Sequence, residues 1–376
     1  MKKLLIVFLI ILSITIIFSK SSNDKTVIKF STWGSKSEIE ILKPIIKEFE
    51  NQNSDVKVEL LHIPQNYFQK IHLLFASNTA PDVIFINNLN LPFFAKAKVL
   101  KPIDKDMKGF DLKAVEALSF DGKVYAVPRD ISIVVIFRNR DIFKECNVGL
   151  NSPDWTLDEF LETSKKIKAC GKFAISFEES PALFYLPYIM SEGGELLDEY
   201  GRDLYYSENT QTGLMFYSNL RKKYNTAPTK SQSANLTMAQ MFLQQKLAMH
   251  LTGHWLVPKY KQEANFDWDT ITFPKGKYGS VTPLDASGWA ISASSKHPLE
   301  AQRFIDFLSS KENIEKMAQN GLIIPARLDV LNGKFSNDSI NKAFINALKT
   351  TKKTISAPNY SEFMNIINQR NEKLFN

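Results

Sequence analysis

Cysteine is nearly missing from this chain, with Cys146 and Cys170 the only two in 376 residues. No Cys-x-x-Cys motif can form, and no cysteine follows the apolar start, so a lipid-anchored lipoprotein is not expected. Histidine is also sparse at five residues. His250 and His254 have the spacing of one helical face, but their stretch reads as a strand and no third ligand is near, so neither a metal nor any other cofactor is expected. The chain lacks Gly-x-Ser-x-Gly, His-Glu-x-x-His, Gly-x-Gly-x-x-Gly and a phosphate loop, which leaves the common hydrolase and nucleotide chemistries without a carrier. Gly276-Lys277-Tyr278-Gly279-Ser280 has loop glycines at the wrong spacing. There is no internal repeat and no low-complexity tract.

What is present is an ordinary globular composition, 44% hydrophobic and 23% charged, with aromatics high at 12%. The length suffices for two domains. Lys2 and Lys3 precede an apolar stretch from Leu4 to Phe18, and Ser19-Lys20-Ser21 follows as a small-x-small site. Residues 1–21 therefore read as a secretory signal. The stretch is shorter than the roughly 20 residues of a membrane span, although an uncleaved anchor remains the alternative. The formal charge is +7, and losing Lys2, Lys3 and Lys20 with no acid brings it to +4. The basic residues are scattered, so nucleic acid is not an expected partner. Export permits a disulfide, but a predicted helix separates the two cysteines, and two unpaired buried thiols are the expectation.

Strands and helices alternate. Val27–Thr32 reads as a strand, followed by a helix with Ser37 and Glu40 as capping box and Ile39, Leu42, Ile46 and Phe49 on one face. Val56, Val58 and Leu60 alternate as a second strand, residues 66–77 read as a helix, and Val83–Ile86 as a third strand. Strands joined by such helices imply parallel crossover units, with ligands beyond the strands' C-terminal ends. The apolar run Ile131–Asn139 reads as one buried strand, after a turn-like Pro128-Arg129-Asp130. Beyond it the pattern restarts: Thr156 and Glu159 form a capping box, Leu247–Thr252 reads as a strand ending in Gly253-His254-Trp255, Ile271–Pro274 and Ala290–Ala293 as short strands, and Pro298 opens a helix carrying Ala301, Phe304, Ile305 and Leu308. The run at 131–139 is then where the chain leaves one α/β unit for another, beside a cleft.

Several stretches, in order, resemble a known family: Phe30-Ser31-Thr32-Trp33-Gly34; Ala80-Pro81-Asp82-Val83 running to Leu100-Lys101-Pro102-Ile103; Gly122-Lys123-Val124-Tyr125-Ala126-Val127-Pro128; Arg138-Asn139-Arg140-Asp141-Ile142-Phe143; Pro153-Asp154-Trp155-Thr156-Leu157-Asp158-Glu159-Phe160, with Trp and Thr transposed; Thr252-Gly253-His254-Trp255; Ser287-Gly288-Trp289; and Gly321-Leu322-Ile323-Ile324-Pro325-Ala326-Arg327. The order resembles the extracellular solute-binding proteins, family 1, of ABC importers, the maltose-binding-protein relatives. The resemblance spans nearly the whole chain after the signal. It implies an α/β two-lobed periplasmic-binding-protein-like fold, each lobe a mainly parallel sheet flanked by helices, joined by three hinge crossings. Lobe one would hold residues 25–131 plus 287–323, and lobe two 132–286 plus 324–376. The implied protein is an exported, periplasmic or extracytoplasmic monomer that binds a sugar or polyol and docks on permease subunits in the membrane.

Sugars stack their C–H faces on aromatic rings while polar groups fix the hydroxyls. Trp33 and Ser35 lie at the first strand end, Tyr67 on the helix after the second, and Asn87, Asn88 and Asn90 at the third. Asp130 and Ser132 flank the first crossing, Asp285 the second, and Arg327 ends the third. Trp255 matches the family's Gly-x-Trp, whose ring stacks on sugar; Gly288 and Trp289 match a cleft-facing position, and Tyr360 is a candidate lid. Each has a plainer reading: Tyr67 and Trp289 as core, the acids as solvated loop residues, Arg327 as a salt-bridge partner, Tyr360 as packing. A receptor for carbohydrate is the first expectation. A receptor for glycerol 3-phosphate, using Arg129, Arg327 or Lys36, is the second, and an exported glycoside-active enzyme the third.

Overall fold

The structure is a computed structural model that describes residues 25–34, 36–233 and 235–376. The proposed signal at 1–21 and Ser35 therefore lie outside the described residues.

Among the described residues fourteen strands occur in chain order: β1 (Thr26–Thr32), β2 (Val56–His62), β3 (Val83–Asn87), β4 (Leu100–Lys101), β5 (Ser119–Phe120), β6 (Lys123–Val124), β7 (Val127–Ser132), β8 (Val134–Asn139), β9 (Phe173–Ile175), β10 (Leu247–Gly253), β11 (Trp268–Ile271), β12 (Pro283–Ser292), β13 (Ile324–Pro325) and β14 (Lys352–Lys353). One sheet runs β13-β7-β12-β3-β1-β2, with β4 and β14 also paired to β12; a second runs β11-β8-β10-β9. β5 and β6 form a separate hairpin.

The sheets are mixed rather than mainly parallel. β1 is parallel to β2 and β3, as the crossover helices require. β12 arrives from the second unit and runs antiparallel to β3 and β7, and β8 is antiparallel to β10 and β11. The strands that carry the chain between sheets reverse direction, which strand and helix alternation alone does not reveal.

The apolar run at 131–139 is two strands. Ile131 pairs with β12 and β13 in the first sheet, while Val134–Asn139 pairs with β10 and β11 in the second. The chain changes sheet at the buried Ile133. Pro128-Arg129-Asp130, read as a turn, lies inside β7, and Pro128 stands where the ladder slips between Ser287 and Gly288. A missing N–H is tolerated at such an irregularity. The chain crosses again between β11 and β12, and a third time after β13, since Phe344 of the helix Asn341–Leu348 packs on Phe137 of β8 at 6.0 Å between ring centroids.

The helix Lys36–Gln52 starts one residue ahead of Ser37. It buries Ile39, Leu42, Ile45, Ile46 and Phe49, and Phe49 meets Phe304 of the helix Pro298–Leu308 at 4.9 Å. Thr156 does cap the helix Leu157–Ala169 in a full capping box with Glu159. The strand expected at 271–274 lies earlier, at Trp268–Ile271, and the one at 290–293 is the end of the long β12.

Cys146 and Cys170 are joined, with Cα atoms 5.5 Å apart. The expectation of two separate thiols is corrected: each cysteine directly follows a helix, Arg140–Glu145 and Leu157–Ala169, and the two helix C-termini converge.

Candidate functional site

β1 and β10 belong to different sheets, yet Trp33, just after β1, and Trp255, two residues past β10, border one cavity of about 180 Å³. Asp130 and Ser132 of β7 and Ser287 of β12 line it too. Strands that change sheet thus bring residues 33, 130, 132 and 255 together.

Trp33 is half-buried. Its ring is propped by Tyr67 at 5.0 Å, Phe68 at 5.3 Å and Phe85 at 4.3 Å. Aromatic edges and faces at these spacings fix a ring's orientation. Trp255 stands in the turn His254–Leu256 and is 40% exposed, unusual for a tryptophan. Its ring lies across Gly253, where a Cβ would come within 1.8 Å of Cζ3, so glycine at 253 is what lets the indole settle there.

The polar floor is built on Arg129. Its Nε donates to Asp130 Oδ1 at 2.8 Å and its Nη1 to Glu38 Oε1 at 3.0 Å, and the guanidinium lies 4.1 Å from the Phe85 ring centroid. Arg129 and Asp130 are buried. Burial pulls the guanidinium down, but Asp130 and Glu38 outweigh it and hold Arg129 above its usual range. Burial pushes the Asp130 carboxyl up against the pull of Arg129. His254, behind Trp255, has Nδ1 at 3.1 Å from Gly321 O and Nε2 at 2.8 Å from Asn341 Oδ1, and burial brings it down to about 4. His250 is likewise brought down to about 3 by burial. Among the described residues no group of three or more His, Cys, Asp or Glu gathers as a metal site would need.

The other expected residues go elsewhere. Tyr67 is buried and its hydroxyl bonds Ser31. Asn87 Oδ1 accepts from the backbone and side chain of Asn90, a local turn. Asn88 is a clasp: its Nδ2 donates to Asp285 Oδ1 at 3.1 Å, and its Oδ1 accepts from Ala286 N at 3.0 Å. That pair ties β3 to β12, and burial pushes Asp285 up. Gly288 is a packing glycine, since a Cβ there would lie 2.2 Å from Val127 O. Trp289 is 1% exposed and packs beneath the sheet near Phe85. Arg327 is spent on Asp329 and on Ser309 O. Asn90 and Tyr360 border a second depression of about 290 Å³, with Phe68, His72 and Phe93.

Glu38 was not singled out from the sequence; its arginine partner is 91 residues away, and no local pattern marks it. No local pattern in the sequence marks Glu178 either. It follows β9, which is parallel to β10 and ends on the same side. Burial pushes its carboxyl up to about 7, with Arg221 opposing and Glu179 adding.

Two mixed sheets joined by three chain crossings, with aromatic and buried charged groups from both at one cavity, define a two-lobed binding protein. Residues 44–343 match the family described as bacterial extracellular solute-binding protein, and the chain belongs to that family. It is 28% identical over 319 residues to the multiple sugar-binding protein of Streptococcus mutans, covering 79% of this chain and 74% of that one. It shares its fold with an ABC substrate-binding protein of Listeria monocytogenes solved with cycloalternan, at TM-score 0.85, 24% identity and 94% of each chain. A solute-binding protein of Thermotoga lettingae bound to α-D-tagatose superposes at TM-score 0.82, with 20% identity over 93% of this chain and 94% of that one.

Proposed function

We propose that this chain is the solute receptor of an ABC importer, which captures a carbohydrate between its lobes and delivers it to a permease in the membrane. The observation that carries the reading is the meeting of Trp33 and Trp255, from different sheets, across a cavity floored by Arg129 and Asp130. Two rings can stack on the C–H faces of a sugar while the buried charged pair holds its hydroxyls. The names and bound sugars of the similar proteins support the same solute class.

In this reading lobe one comprises residues 25–131 and 287–323, lobe two 132–286 and 324–376, and residues 1–21 direct export. A solute touching Trp33 in one lobe and Trp255 in the other binds the closed arrangement better, and that difference drives closure. The chain acts by binding, as a monomer, without turning its solute over. Among the described residues no helix is long and apolar enough to cross a membrane.

A thermal-shift screen of the mature chain against neutral sugars tests this. A sugar at a hundred times its Kd raises stability by about 2.7 kcal/mol. No shift with any mono- to oligosaccharide, or cleavage of an oligosaccharide on incubation, contradicts it.

A further inference from the structure

Arg129 is the one arginine or lysine among the described residues lining the cavity, and two carboxylates, Glu38 and Asp130, line it as well. Both carboxylates bond the guanidinium directly. His254, the remaining titratable lining group, is buried and neutral. With both carboxylates ionised the three groups sum to −1, and the single cation is already engaged by both of them. Of two other cations that could have met an anion, Arg327 pairs with Asp329, and Lys36 is solvent-exposed and not among the lining residues.

We infer that the Glu38–Arg129–Asp130 cluster makes the cleft selective for uncharged polyhydroxylated solutes and excludes their phosphorylated or carboxylated counterparts. This rests on the reading of the cavity between Trp33 and Trp255 as the solute site. A phosphate needs cationic or N–H donors free to turn toward it. Here it would have to displace a carboxylate from Arg129 or lie beside two carboxylates in a poorly solvated floor, where like charges repel strongly. A hydroxyl meets no such obstacle, because it donates to a carboxylate oxygen and accepts from an N–H at once. Asp130 Oδ1 is held by Arg129, while no hydrogen bond to its Oδ2 occurs among the described residues, which leaves an acceptor for a sugar hydroxyl. The cavity's roughly 180 Å³ is below the ~300–1,000 Å³ of pockets for drug-sized ligands, a size that favours a small solute.

Titration calorimetry on the mature chain decides this, using D-glucose, D-galactose, D-mannose, maltose and maltotriose, their monophosphates, and glycerol 3-phosphate. The expected result is that at least one neutral sugar binds, that its phosphate binds at least 100-fold more weakly, and that Asp130→Asn narrows this ratio below tenfold. Should Asp130→Asn fail to fold, the wild-type ratio and Glu38→Gln carry the same decision. A phosphate that binds as tightly as its parent sugar, and is lost in Trp255→Ala, overturns the selectivity while leaving the cleft as the solute site. Binding of none of these compounds, or binding untouched by Trp255→Ala, overturns the cleft reading and the selectivity with it.

Discussion

A carboxyl that holds its proton near neutrality is a pH reporter, and Glu178 is one, pushed up to about 7 by burial from an ordinary value of 4.5. The folded chain binds that proton more tightly than the unfolded chain. The resulting stability is complete below about pH 4.5 and is lost as pH rises through about 7. His250 and His254 act in the opposite sense, because their depressed values cost stability as pH falls below 6.5. Comparing the wild type with Glu178→Gln isolates the carboxyl: urea midpoints between pH 5 and 8 should decline with pH more steeply in the wild type. Parallel profiles would mean that Glu178 is not held protonated by the fold. At this scale Trp33 and Trp255 were legible from the sequence because strand ends and a Gly-x-Trp mark positions. Trp289 and Gly288 were not, because whether a strand residue faces a cleft or the layer below depends on register with β7 and β3, which no local pattern carries. Glu38 escaped for a related reason: it lies on a helix, and its importance lies in a partner on the distant strand β7.

Among the elements, helices with an apolar stripe were legible at their starts, as with Pro298 opening Pro298–Leu308 and Thr156 capping Leu157–Ala169. The run at 131–139 was legible as buried extended chain but not as two strands, since its hydrophobicity is continuous and only pairing partners reveal the change of sheet. The same limit hid the antiparallel course of β12. The disulfide also belongs to this scale. It links the ends of two helices across a loop with a sequence separation of 24, and closing a loop of that size restricts the unfolded chain by roughly 3 kcal/mol. The double variant Cys146→Ser/Cys170→Ser should unfold at lower urea by a comparable amount, and reductant should lower the wild type similarly while leaving the variant unchanged. Equal stability of reduced and oxidised wild type would show that the bridge contributes nothing.

For the whole molecule, the two sheets are joined by strand-end crossings and by apolar packing around them, with the proposed site at that junction. Binding there should bring the lobes together. Small-angle scattering of the mature chain should show a smaller radius of gyration with a saturating sugar than without, and Trp255→Ala should need a higher sugar concentration to reach it.

The central claim is that a carbohydrate is held between Trp33 and Trp255, and calorimetric titration of the wild type and of Trp255→Ala with the same sugar tests it most directly. Because Trp255 is 40% exposed, its removal should leave the unfolding midpoint nearly unchanged. The account predicts at least tenfold weaker binding, about 1.4 kcal/mol, in a variant that remains folded. An affinity equal to that of the wild type would contradict it and remove this cavity as the place of capture.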